Sequence, residues 1–413
     1  MIKPKGWAIA ALLMLIGSGC RGSNGTPIPL EKGMAGLRQW QEWLSVPPVS
    51  TQPVALLPAK TSAQLQTALQ DHVRTWNLPG AVLYVASSDG DWMRAVGQSD
   101  LNAKTLLKPT DRFRTGDVSE LFMGIVCLRL IDAGVLTLNA PITNWLPTDL
   151  TERLPHGDQI TLRQLLNHTS GLPAIDVDAF QQAVLVNPSH RWSPQEIVGF
   201  VLDRPEAVPR GTFRHSRANY LLLQLIVERA TGQPFAEVLQ QQILQPLQLK
   251  DTFLELSQPD EAGEFVQGYQ DWNRDNSPEN VTQPLINTGL GLGDQGIISS
   301  APDLVRLMRA LFLEDTLLSA TSRKHLLTLI ENNEGGYGLG IAHTLTKWGE
   351  VWGQAGETTG FRSVIAYLPV HDLILVAWTN SGDRNFGHPT RLAEKSLEII
   401  LGDTYLFTRR AIR

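Results

Sequence analysis

Strand patterns at both ends of the chain, helical patterns through its middle and a helix outside each strand region predict a mixed α/β (α+β) fold. The expected architecture is one antiparallel sheet flanked by terminal helices, with an all-helical lobe inserted. The first observation is a pair of strand-like runs, residues 81–86 and 91–97, joined at Ser88-Asp89-Gly90, a hairpin signal. The second is a series of such runs at 337–341, 347–352, 362–368 and 373–380, the last two flanking Pro369-Val370-His371-Asp372 as another hairpin. The third is the region between them. Residues 135 to about 299 carry helical patterns with irregular loops, clearest at 161–167, 194–202, 218–230 and 235–244.

Each remaining element has its own signal. Residues 61–76 place apolar side chains at helical spacing and stop at Asn77-Leu78-Pro79-Gly80. A long helix, 121–131, is apolar on nearly every side, which puts it at the centre of a domain. Gly134 stands at its C-cap position, and Leu138-Asn139-Ala140-Pro141 reads as a turn. Residues 302–312 form a helix, and 391–401 close the chain with an amphipathic one. The domain is expected over 58–413, its sheet lobe at 58–112 and 300–413 and its helical lobe at 113–299.

Composition bounds the function. The chain has 413 residues, 42% hydrophobic and 18% charged, enough for a sizeable core and two lobes. A formal net charge of −6 without a basic run argues against nucleic acid as a partner. At the N-terminus, Lys3 and Lys5 precede an apolar run, 8–16, and then Gly17, Ser18 and Gly19 lead to Cys20. Residues 1–19 read as a secretory signal peptide. Cys20 after small residues is similar to a bacterial lipobox, with Gly17 standing where Leu is expected, so Cys20 is the expected lipid attachment site. The bland alternative is a plain signal peptide with an incidental cysteine. Residues 20–57, rich in Pro, Ser, Gly and Thr, then form a tether, and the protein is expected to be exported and lipid-anchored in the bacterial cell envelope. Cys127 lies in the apolar helix, and two such cysteines imply no disulfide framework.

Several ordered stretches resemble the β-lactamase-related serine hydrolase family, comprising class C β-lactamases, DD-peptidases and their esterase relatives. They are Phe113-Arg114-Thr115-Gly116 entering the central helix, Asn167-His168-Thr169-Ser170-Gly171-Leu172-Pro173, and Pro209-Arg210-Gly211-Thr212-Phe213 leading to Asn219-Tyr220. Pro246-Leu247-Gln248-Leu249-Lys250-Asp251-Thr252, residues 293–304, Tyr337-Gly338-Leu339-Gly340 and residues 356–361 complete the set. The resemblance spans roughly residues 60 to 400 and implies the β-lactamase/transpeptidase-like fold. It also implies three catalytic elements: Ser-x-x-Lys opening the central helix, Tyr-x-Asn on the helical lobe, and Lys/His-x-Gly on a facing strand, with backbone N–H groups completing an oxyanion hole.

All three positions depart from that pattern. The first reads Asp117-Val118-Ser119-Glu120, the second His215-Ser216-Arg217 and the third Gln354-Ala355-Gly356. Asp117 and Glu120 have the spacing of a capping box on the central helix, where both charges also complement the dipole. Alternatively Asp117, Glu120 and His215 form an acid/base or metal cluster. Ser119 reads as a first-turn helix residue, since treating it as the nucleophile puts Phe122 where a lysine is needed. Ser216 has no identified base. His168 reads as part of a structural turn, and His343, His371 and His388 are isolated, with no zinc motif. Arg217 is expected to pair with Asp117 or Glu120 within about 4 Å.

These substitutions lead to the expectation that serine acyl transfer is lost and that a cleft remains for a peptidoglycan-like or small-molecule ligand, or for a partner. No cofactor is expected. The alternative is an active hydrolase, of esterase, peptidase or β-lactamase type, using a rearranged Asp117, Glu120 and His215 site.

Overall fold

The computed structural model describes residues 56–402, apart from 188, 256–265, 272–276, 283–291, 333–334 and 384–386. The expected signal peptide, Cys20 and all but the end of the tether lie outside the described residues. The tether's last residues do not: Leu56 bridges Asp91 and Leu57 is buried in the core, so ordered packing begins slightly before the expected boundary.

The described residues open with α1 (Ala59–Thr75) and the hairpin β1 (Gly80–Ser87) and β2 (Gly90–Asp100), followed by β3 (Thr105–Leu106). Next come β4 (Phe113–Arg114) and the central helix α2 (Ser119–Asp132), then α3 (Leu162–Leu166) and α4 (Arg217–Thr231). Short strands follow: β5 (Phe253–Leu254), β6 (Tyr269–Gln270), β7 (Glu279–Asn280) and β8 (Ile297–Ser299). The C-terminal part holds α5 (Ala301–Phe312), β9 (Ile330–Asn332), β10 (Gly335–Tyr337), β11 (Ala342–Thr346), β12 (Gly349–Thr358), β13 (Phe361–Leu368), β14 (Leu373–Thr379) and α6 (Pro389–Leu401).

Nine strands form one sheet in the order β3-β2-β1-β14-β13-β12-β11-β10-β9, and its pairings are antiparallel. The N-terminal hairpin therefore joins the C-terminal strands through β1 and β14, with Leu83 opposite Ala377. One sheet face carries Ala81, Leu83, Val85, Leu375 and Ala377 against Leu65 and Leu69 of α1 and Leu392 and Leu397 of α6. Alternation along a strand puts every second residue on that face, which is why the terminal helices need only one apolar stripe. Trp378 points the other way and stacks on Phe113 with ring centroids 4.4 Å apart. The fold class is therefore the expected antiparallel sheet flanked by terminal helices, but the region between its strands is not the expected all-helical lobe, since β4, β8 and β5 pair into a small sheet and β6 pairs with β7.

Helix α2 has no solvent face over most of its length: every residue from Ser119 to Leu130 is buried. Element boundaries shift where glycine interrupts the strand pattern. The expected strands at 337–341 and 347–352 are in fact β10, β11 and a longer β12 that runs on to Thr358 and carries Gln354-Ala355-Gly356. The expected helix at 235–244 is α-helical over Phe235–Leu239 and then loosens into a π turn over Gln240–Leu244.

Candidate functional site

The site is assembled where the turn preceding α2 is pressed onto β12. Gly116 has φ +59, and a Cβ there would stand 2.8 Å from the Glu357 nitrogen, so the turn needs glycine both for its backbone angle and for its approach. Gly356 meets the same turn from the other side, where a Cβ would lie 1.9 Å from the Thr115 carbonyl oxygen. Ser363 donates its hydroxyl to that oxygen at 2.8 Å. Thr115 donates its hydroxyl to the Ile297 carbonyl at 2.9 Å, and Ser119 Oγ accepts the Ile297 N–H at 3.0 Å. Ser119 is fully buried, with Thr115 Oγ1 at 3.4 Å as its other hydroxyl neighbour. It ties β8 to the helix and, among the described residues, faces no base.

The structure does not form a capping box from Asp117 and Glu120, since neither helix start receives a side-chain cap. Each carboxylate is drawn elsewhere by a stronger set of donors. Asp117 accepts Gln295 Nε2 at 2.7 Å and the Glu357 N–H at 3.2 Å. Burial and the nearby Glu120 charge push its carboxyl up to about 6, against the opposing pull of His215 and the two hydrogen bonds.

Glu120, only 1% exposed, is the hub. Its Oε1 accepts His215 Nε2 at 2.9 Å, and its Oε2 accepts His168 Nε2 at 3.2 Å, the Tyr337 hydroxyl at 2.5 Å and Gln354 Nε2 at 3.2 Å. Gln354 Nε2 also donates to the Tyr337 oxygen at 3.0 Å. Burial alone would raise the Glu120 pKa, yet the two histidines and their hydrogen bonds hold it well below the usual carboxylate range. It is a buried anion with both oxygens hydrogen-bonded.

The two histidines differ. His168 Nδ1 accepts Asn219 Nδ2 at 2.9 Å and the Ser216 N–H at 3.4 Å, so its proton sits on Nε2 and is donated to Glu120. Asn219 is held in turn by the Ser170 hydroxyl at 2.6 Å. His168 is fully buried, and burial keeps its pKa below the ordinary value, so it is neutral. His215 has 44% of its side chain exposed to solvent. Burial pulls its pKa down, but the Glu120 charge and hydrogen bond, with Asp117 behind them, win and push it up to about 9. The rings lie 4.4 Å apart, centroid to centroid.

Arg217 corrects an expectation. It pairs with neither Asp117 nor Glu120 but donates Nε to Asp294 Oδ2 at 2.6 Å. The reason is local. Asp294 is wholly buried and needs a cation, whereas Glu120 already has His215 and His168. Asp117, Glu120, His215 and Gln354 are thus brought into one cluster, Gly356 supports its floor, and Arg217 stands beside it on a separate ion pair. His168, read from the sequence as part of a turn, and Tyr337, read as a fold marker, both belong to the cluster. His168 does occupy a turn, with φ +55, and that turn is what aims its ring at Glu120.

Among the described residues, one group of side chains has donors for a metal ion: ligand atoms of Glu120, His168 and His215 all lie within 4.8 Å of one another.

A nine-stranded antiparallel sheet and a buried central helix whose first turn is pressed onto a sheet strand define a β-lactamase-type protein. The chain belongs to the Beta-lactamase family, whose model matches residues 65–397. Esterase EstB of Burkholderia gladioli is 28% identical over 320 residues, covering 68% of this chain and 79% of its own. Protein flp of Staphylococcus aureus (strain MW2) is 27% identical over 192 residues, 46% of this chain; the chain spans little more than a third of that protein, 37% of its length. A D-stereospecific amidohydrolase from Streptomyces sp. superposes with a TM-score of 0.69 at 25% identity, covering 82% of this chain and 97% of that one.

Proposed function

We propose that this chain is a β-lactamase-family protein that does not acylate a serine and instead uses its cleft to bind a ligand, a peptidoglycan-like peptide or a small molecule. The observation that carries this reading is Asp117. It stands where the family resemblance puts the nucleophile, and its carboxylate already takes the Glu357 N–H on the facing strand. Glu120, in the place of the lysine, is a buried anion bound by four donors, and the two histidines hold its pKa well below the usual carboxylate range, which makes it a poor base. The serine of this turn, Ser119, is fully buried. Related proteins named as an esterase and an amidohydrolase support a cleft shaped for acyl compounds. The protein is exported on this reading and held at the cell envelope by a lipid on Cys20.

Incubation with a fluorescent penicillin and a fluorophosphonate, followed by intact mass and ester turnover, tests this directly. No adduct and no turnover are expected. A covalent adduct mapped to a serine overturns the reading. Loss of membrane association in Cys20→Ser tests the anchor separately.

One observation favours a second reading, hydrolysis without a serine. Asp117 and His215 titrate on either side of neutrality and share the cleft, as an acid/base pair would. Ester turnover without labelling, abolished by Asp117→Asn or by His215→Ala, would establish it.

A further inference from the structure

We propose that Glu120, His168 and His215 form a binding site for a divalent transition-metal ion, zinc above all, at the floor of the cleft. Three donors converge there from separate parts of the chain: the first turn of α2, the turn after α3, and the loop entering α4. Two imidazoles and one carboxylate are the ligand set of open zinc sites, which keep a further position for water or a ligand.

The spacing fits. With zinc bonds of about 2.0–2.1 Å, ligand atoms of a tetrahedral site stand about 3.3 Å apart. Glu120 meets His215 Nε2 at 2.9 Å and His168 Nε2 at 3.2 Å, so small outward movements admit the ion. The outer contacts fit as well. Tyr337 and Gln354 both bind Glu120 Oε2 and fix the carboxylate's orientation, as supporting hydrogen bonds do around metal ligands.

His168 presents the main conflict, and it resolves by turning one side-chain amide and giving up the long 3.4 Å contact from the Ser216 N–H. Metal on Nε2 requires the proton on Nδ1, which now faces Asn219 Nδ2 at 2.9 Å. Half a turn of the Asn219 amide presents Oδ1 to that proton, and the Ser170 hydroxyl changes from donor to acceptor. The half-exposed face of His215 leaves the ion open to the cleft.

The replacements also run in the same chemical direction. Glu120 stands at the position of the family's lysine and His215 at that of its tyrosine, so two positions exchange non-ligating groups for metal donors around one point. Metal occupancy is independent of serine acylation, so failure of zinc binding and failure of the acyl-transfer reading are separate results.

The test uses the full chain, stripped with a chelator and titrated with ZnCl2 by calorimetry, with CoCl2 as a spectroscopic stand-in. One zinc per chain is expected, with the intense visible bands of low-coordinate Co2+. His215→Ala, at a half-exposed site that leaves the core intact, weakens binding about 100-fold or more and abolishes the cobalt bands. The proposal is overturned if the wild-type chain gives neither heat nor cobalt bands. It is equally overturned if His215→Ala binds as tightly as wild type, which would place the ion on other residues. The wild-type cobalt spectrum needs no variant and decides the matter even if His215→Ala folds poorly.

Discussion

Asp117 Oδ2 and the backbone nitrogen of Glu357 lie 3.2 Å apart, joining the first turn before α2 to the end of β12. The donor is a strand N–H turned toward the start of the helix. Here a side chain of the protein takes it. The same carboxylate is partly buried and also holds Gln295, so the contact is a built part of the cleft floor.

Asp117→Asn should stabilise the protein near neutral pH. Burial and the Glu120 charge raise the Asp117 carboxyl from 3.8 to about 6. Between those values the folded state holds a proton that the unfolded chain releases, so stability falls as pH rises through the window and the full penalty is present above it. Asparagine removes the penalty, and the Gln295 amide can turn to accept from it. The gain at pH 7 is about 1–2 kcal/mol after discounting for solvent screening, and it fades below about pH 4. Melting curves of both proteins from pH 3 to 8 check this; a difference that does not vary with pH would refute it.

Glu120→Gln should act in the opposite direction. The amide has one acceptor oxygen where four donors now converge, and its own NH2 faces at least one of them. Breaking a buried ion pair and stranding its partners costs about 3–5 kcal/mol. A clear drop in denaturant midpoint with an unchanged slope is the expected result. An unchanged midpoint would mean that the cluster contributes little to the fold.

Gly356→Ala should destabilise through overpacking alone. The added methyl would lie 1.9 Å from the Thr115 oxygen and 2.6 Å from Ser363 Oγ, both held in place by the hydrogen bond between them. A cost of about 2 kcal/mol or more is expected. Gly199 is the control. It has φ −49, an ordinary helical value, and nothing lies within 4 Å of a Cβ built there, so Gly199→Ala should be neutral or slightly stabilising. Equal melting temperatures for the two variants would contradict the close approach of turn and strand.

The parts of this structure that were legible in the sequence are those specified locally. Helix α2 announces its burial because Leu121-Phe122-Met123 and Ile125-Val126 leave no polar stripe, and the terminal strands and helices show their own periods. Asp117, Glu120, His215 and Gln354 could be singled out because each occupies a motif position. Their partners could not be read in the same way. His168 meets Glu120 across 48 residues and Tyr337 meets it across 217, so those contacts exist only once the sheet and helices have packed. Arg217 shows the limit most clearly. Its charge suggested a carboxylate in the cleft, but the winning partner, Asp294, was 77 residues away, in a stretch that reads from sequence only as a fold marker. Competition among several carboxylates for one guanidinium is decided by burial, which local sequence does not encode.

The Arg114–Glu255 pair offers a cleaner measure of such burial. Arg114 Nη2 meets Glu255 Oε1 at 2.6 Å and Nε meets Oε2 at 2.9 Å, a bidentate pair with side chains 1% and 3% exposed. It links β4, just before the turn that enters α2, to the residue following β5, and Arg114 also donates to the Thr282 carbonyl at 3.2 Å. Removing one partner leaves a charge in a site built for two, so Glu255→Ala alone should cost about 3–5 kcal/mol. Replacing both by apolar residues, Arg114→Met with Glu255→Leu, removes the desolvation penalty together with the attraction. The double variant should therefore be distinctly more stable than the sum of the single losses predicts, by about 2 kcal/mol in a double-mutant cycle. Chemical denaturation of the four proteins gives that coupling directly, and strictly additive losses would show that Arg114 and Glu255 are held by their separate surroundings and not by each other.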